Sequence, residues 1–133
     1  MKNEKSFLNI LIPVSLGELL DKMTILEIKK THIKENEKLK NINKELEYLK
    51  KILLNANLNI DNNLINKLKT INNILWKIED EIRTKENENE FDNEFIKLAR
   101  SVYKENDKRA SIKKEINYTY HSELIEEKYY SNN

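Results

Sequence analysis

The chain holds one glycine and one proline, and both fall in the run Ile12-Pro13-Val14-Ser15-Leu16-Gly17-Glu18-Leu19-Leu20. These residue types are the strongest local breakers of regular structure, so the rest of the chain has almost nothing to interrupt a helix. One built junction near the N-terminus, followed by long helices, is the organisation this predicts.

At the junction, Ser15 and Glu18 have the spacing of a capping box, in which the serine oxygen accepts from the Glu18 N–H and the glutamate returns to the Ser15 N–H. Val14 and Leu19 hold the two positions of a hydrophobic staple around it. A helix therefore starts at Leu16. Residues 7–14 read as extended, because Ile12 precedes proline and is driven toward β or polyproline geometry. Gly17 is unexpected in a first helical turn, where it costs stability relative to alanine. Either an anion approaches the exposed N–H groups of the helix start, or a neighbouring segment packs where no Cβ fits.

Downstream, apolar residues recur at helical spacing. Ile25, Ile28, Leu39, Ile42, Leu46, Leu49 and Leu53 form a heptad seam interrupted by His32 and Glu35. Leu64, Leu68, Ile71, Leu75, Ile78 and Ile82 form a second, with Asp61 as its N-cap, and Phe91, Phe95, Leu98, Val102, Glu105, Arg109, Ile112 and Ile116 form a third. Polar, Asn- and Glu-rich stretches separate them. The pattern predicts an all-α single domain over residues 1–133: three long antiparallel helices, over about 16–55, 62–86 and 91–128, in a bundle or coiled-coil-like packing. In that arrangement residues 16–31 overhang the second helix by ~25 Å. The overhang is strongly apolar, with Leu16, Leu19, Leu20, Met23, Leu26 and Ile28, and such a surface must be covered. The N-terminal segment, the tyrosine-rich C-terminal tail and a second copy of the chain are the candidate covers; a homodimer is the leading expectation.

Composition narrows the function classes. With 24 basic and 23 acidic residues the net charge is +1, and the two signs interleave, which argues against a nucleic-acid binder with its basic stripe. There is no cysteine, hence no disulfide framework and no thiolate chemistry, as suits a reducing cytoplasm. Lys2 and Lys5 ahead of Phe7–Val14 imitate a signal peptide, but Glu4, Asn9 and Pro13 interrupt the pattern and no small-residue cleavage site follows. No run approaches the ~20 apolar residues of a membrane span.

Lysine (21), asparagine (20) and isoleucine (17) dominate, while glycine, proline, alanine and arginine together supply eight residues. This is the mark of A+T-rich codons, and it makes each surviving arginine a pointer to a position where lysine does not serve. Only the planar guanidinium grips a carboxylate or phosphate with two parallel bonds. Three polar groups stand out: Ser15, Gly17, Glu18, Asp21 and Lys22 at the helix start; Glu79, Asp80 and Arg83 after Trp76; and Arg100, Tyr103, Asn106, Asp107, Arg109 and Lys113. Glu79 with Arg83 and Glu105 with Arg109 also have the spacing of ordinary helical ion pairs. His32 with Glu35 is more simply a polar layer than a metal site, and no metal or cofactor is expected. No nucleophile with its base, no phosphate-cradling glycine loop and no zinc pattern occurs, so no catalytic residue is assigned.

The stretches IPVSLGELLDKMTILEIK at 12–29, LWKIEDEIR at 75–83, ARSVYKENDKRASIKKEIN at 99–117 and EEKYY at 126–130 resemble an uncharacterised bacterial and phage family, a domain of unknown function. The resemblance implies a small soluble protein, found near surface-polysaccharide or glycosyl-transfer functions. It makes Ser15, Gly17, Glu18, Asp21, Lys22, Arg83, Arg100, Asn106, Asp107 and Arg109 family features, and it carries no reaction. Two function classes follow: a helical interaction or accessory protein that dimerises and meets a protein partner, or an anion- or sugar-nucleotide-binding protein, an enzyme being the less expected form.

Overall fold

The computed structural model describes residues 6–131. Four helices follow one another: α1 (Leu16–His32), α2 (Asn36–Asn55), α3 (Asn62–Asn87) and α4 (Asn93–Thr119). No strand occurs among the described residues. The basic start, Lys2 and Lys5, lies outside them.

The all-helical class stands, but the helix count does not. The helix expected over 16–55 is two helices, broken at Ile33–Glu35, where Ile33 (φ −84°, ψ 133°) and Glu35 (φ −74°, ψ 124°) are extended. Neither glycine nor proline causes the break. Thr31 turns its hydroxyl onto the Ile28 carbonyl at 2.7 Å, a local bond that competes with the helix ladder. Tertiary burial then decides: folding α2 back onto α1 buries Leu26, Ile42 and Leu46 as one cluster. At about 2 kcal/mol per buried aliphatic side chain, that outweighs a few forgone helix bonds.

α1 becomes the central element, packed on α2, α3 and α4, while α3 and α4 form an antiparallel pair. Leu20, Leu64, Leu68 and Ile116 make the second cluster, joining α1, α3 and α4. The apolar overhang expected for residues 16–31 therefore does not exist; that segment is covered in cis. A register pairing α2 with α3 as a hairpin fails for the same reason.

With glycine used up at position 17, other residues supply the left-handed backbone at helix ends: Asn57 (φ 54°), Asn89 (φ 55°) and His121 (φ 56°). Asparagine and histidine tolerate this conformation better than most residues. At Asn89, Glu90 N donates to Lys85 O (2.9 Å) and Asn89 N to Glu86 O (3.1 Å); at His121, Ser122 N donates to Asn117 O (2.8 Å). These bonds are Schellman closures. The second ends α4 at Thr119, nine residues before the expected 128, and turns the tail back along α4.

The α3–α4 turn carries a pH-sensitive cap. Asp92 accepts from Phe95 N at 3.0 Å and from Lys85 Nζ at 2.9 Å. The Lys85 ammonium, then the Phe95 N–H, hold its carboxyl below the ordinary 3.8. A depressed carboxyl contributes stability above its unfolded pKa and loses it as pH falls through the folded one. The first turn of α4 should therefore fray below about pH 4, and Asp92→Asn should flatten that dependence. Amide exchange at Phe95 measured across pH 2.5–6 checks this; an unchanged profile in the variant would contradict it.

Candidate functional site

The start of α1 forms one edge of a polar region. The first N–H groups of any helix lack intrahelical acceptors, and here they are taken. Leu16 N donates to Ser122 Oγ (3.1 Å), Gly17 N to Asn117 Oδ1 (2.6 Å) and Glu18 N to Ser15 Oγ (3.1 Å). The helix start is thus closed to an outside anion. Gly17 answers to packing: a Cβ there would lie 2.7 Å from the Lys113 carbonyl oxygen and 3.0 Å from Asn117 Oδ1. Half of the capping box forms, with the Glu18 carboxylate going to Lys113 Nζ at 2.6 Å rather than back to Ser15.

One turn on, Asp21 is 4% exposed. Asn72 Nδ2 donates to Asp21 Oδ1 (2.8 Å) and to Thr24 Oγ1 (2.9 Å), and Asn72 Oδ1 accepts from Arg109 Nη1 at 3.3 Å. Lys113 Nζ stands 4.0 Å from Asp21 Oδ2. Asn72 therefore uses its amide to join the buried carboxylate of α1 to the arginine of α4. Such networks rigidify a core when every member is satisfied.

Two cavities flank Arg109 and Asn106, which line both. The first, about 440 Å³, lies between α4 and the returning tail and includes Tyr103, Lys113, Lys114, Glu126, Lys128 and Tyr130. Its lysines are already matched: Lys113 with Glu126 at 3.8 Å, Lys128 with Asp107 at 2.7 Å, and Lys114 with Glu127. The bond to Glu127 holds the Lys114 ammonium above its ordinary 10.5. The second cavity, about 460 Å³, lies between α1, α3 and α4, with Asn72, Trp76, Glu79, Asp80 and Arg83 on its α3 side. His32 stacks on Trp76, ring centroids 4.8 Å apart and 16° from parallel.

Arg109 differs from the lysines of the first cavity. Among the described residues it enters no ion pair, and its one hydrogen bond goes to a neutral amide. Glu105, one turn earlier, leaves Oε2 buried with no partner among the described residues and offers Oε1 to Lys108 at 3.1 Å, not to Arg109. Of its five N–H donors, four thus have no partner among the described residues, and Arg109 lines both cavities.

Of the residues singled out in the sequence, Ser15 caps Glu18 N, Gly17, Glu18 and Asp21 meet α4 at Lys113 and Asn117, and Arg83, Asn106 and Arg109 share the α3-side cavity. Lys22 lies elsewhere, in a groove between the residues ahead of α1 and α2. Asp107 is exposed and bound to Lys128. Arg100 is exposed and lines neither cavity, about two and a half turns from Arg109 and so on the other side of α4. Thr24, Asn72, Asn117 and Ser122 were not singled out. The available signal is a polar residue at a core-facing position, but twenty asparagines hide the two that matter.

No three His, Asp or Glu side chains close enough to hold a metal ion occur among the described residues, and no helix there is long and apolar enough to cross a membrane. Compared with known families, the sequence matches a family of unknown function, DUF6165, over residues 10–133. The chain belongs to that family. The DUF6165 match takes in all four helices, both cavities and residues 10–15 ahead of α1. No curated protein and no solved structure matches the chain.

Proposed function

We propose that this protein binds a small anionic ligand, a carboxylate or phosphate, at Arg109 in the cavity between α1, α3 and α4. The observation that carries the reading is the state of Arg109: a guanidinium held by a neutral amide beside a 460 Å³ cavity, in no ion pair among the described residues. The lysines of the other cavity are each matched by a carboxylate, whereas Arg109, like Arg83 in the same cavity, has no carboxylate partner among the described residues, and Arg109 is the more buried of the two. Its planar fork binds two oxygens at once.

The test is a thermal-shift panel of acetate, succinate, citrate, phosphate, pyrophosphate, a sugar nucleotide and free amino acids on wild type and Arg109→Lys. A ligand at a hundred times its Kd adds about 2.7 kcal/mol, read as several degrees in Tm. The lysine variant keeps the charge but not the fork, and its affinity should fall at least tenfold. If no compound stabilises the protein, or the stabilising one ignores the substitution, the reading fails.

A second reading, a helical accessory protein that self-associates as a homodimer, draws support from the extended segment. Phe7, Leu8 and Leu11 are at least 80% exposed, beside the exposed Tyr48 and Ile52 of α2. Sedimentation of wild type and the double variant Leu8→Asp/Leu11→Asp tests it: a dimer that the variant dissociates is expected, and a monomer in both forms up to 0.5 mM would end it.

A further inference from the structure

The α3-side cavity carries both signs of charge, unpaired. Glu79, Asp80 and Arg83 reach it from α3 and Arg109 from α4. Glu79 and Arg83 have the favourable order of a helical ion pair, yet among the described residues no ion pair joins any of these four groups to another. Two carboxylates and two guanidiniums thus share one cavity of about 460 Å³ with their charges held apart.

That arrangement selects among anions. A phosphate at Arg109 gains from the two guanidiniums but is opposed by Glu79 and Asp80, with the half-buried Glu105 one turn away on α4. A molecule with a carboxylate at one end and an ammonium a few ångströms away gains from both sets, because like charges repel and unlike attract over the same short distances. Trp76 suits the cationic end or an apolar substituent: it lines the cavity, with one ring face stacked on His32, and an indole face attracts ammonium groups. Asn106 adds a neutral polar side chain to the lining.

We infer that the ligand is a zwitterion of the α-amino acid class, its carboxylate on Arg109 and its ammonium between Glu79 and Asp80, with Trp76 against the remainder. This rests on the reading of Arg109 as an anion anchor and adds the second charge.

The chain has one tryptophan, so a nitrogen–proton correlation spectrum contains one indole signal, and that signal reports on the cavity. The protein is titrated at constant ionic strength with three sets: the twenty protein L-amino acids, the same compounds N-acetylated, and sodium phosphate with sodium acetate. The free amino acids should move the Trp76 indole signal and raise Tm, the acetylated set should do neither at tenfold higher concentration, and the response should weaken at least tenfold in Glu79→Gln/Asp80→Asn and in Arg109→Lys. Glu79 and Asp80 are exposed, so the double variant keeps the wild-type melting curve without ligand. A response to acetylated compounds or phosphate equal to that of the free acids, lost in Arg109→Lys, overturns the zwitterion and leaves the anion anchor standing. A response to free acids unchanged in the Glu79/Asp80 variant also overturns it, and silence in all three sets overturns both readings.

Discussion

Gly17→Ala destabilises the protein by about 2 kcal/mol or more, although alanine is the better helix former by about 1 kcal/mol. The sign is decided by what meets the added methyl. A Cβ at position 17 would stand 2.7 Å from the Lys113 carbonyl oxygen and 3.1 Å from Lys113 Cα, and both belong to backbone that moves only if α4 moves. Displacing α4 stretches the 2.6 Å bond from Gly17 N to Asn117 Oδ1, and a buried donor left without its acceptor costs about 1–3 kcal/mol. The Glu18–Lys113 pair at 2.6 Å loosens with it. Chemical denaturation of both forms gives the sign directly. A variant more stable than wild type would mean that α1 and α4 do not approach as described.

Leu68→Ala costs about 3 kcal/mol, within the 2–5 typical of a buried leucine, and lowers Tm by about 10 °C at the entropy of a domain this size. Leu68 is 0% exposed and packs with Leu20, Leu64 and Ile116, so three helices meet on it. Leu16, Met23, Leu53 and Ile60 close the cluster from its edges, which limits how far the site can collapse around the void. The same truncation at Leu54, 76% exposed, should fall within about 0.5 kcal/mol of wild type. A loss under 1 kcal/mol at Leu68 would show that this cluster is not where α1 is anchored.

These two variants probe different layers of information. Leu68 was legible as core from spacing alone, since it recurs with Leu64, Ile71 and Leu75 on one helical face. Gly17 was legible as an exception, but its reason lay a hundred residues away in α4, where no local pattern reaches. The candidate site divides in the same way. Three rare arginines stood out against a lysine-rich background, yet periodicity could not say that Arg109 would face two cavities while Arg100 faced solvent. Asn72, which links Asp21 to Arg109, looked like any other asparagine because its role depends on which helices surround it.

The sequence by itself determined that this chain is helical, where its first helix begins, and which residues of each helix are apolar, because helix formation and amphipathic spacing are set within a few turns. Only the tertiary structure decided that the first long amphipathic stretch breaks at Ile33–Glu35 and folds back. There the local cost is a few helix bonds, while the gain is the burial of Leu26 against Ile42 and Leu46, a quantity that exists only once the distant surfaces meet. The same fold-back covers α1 within one chain and sets its inner face on α3 and α4, where Asp21, Asn72 and Arg109 join.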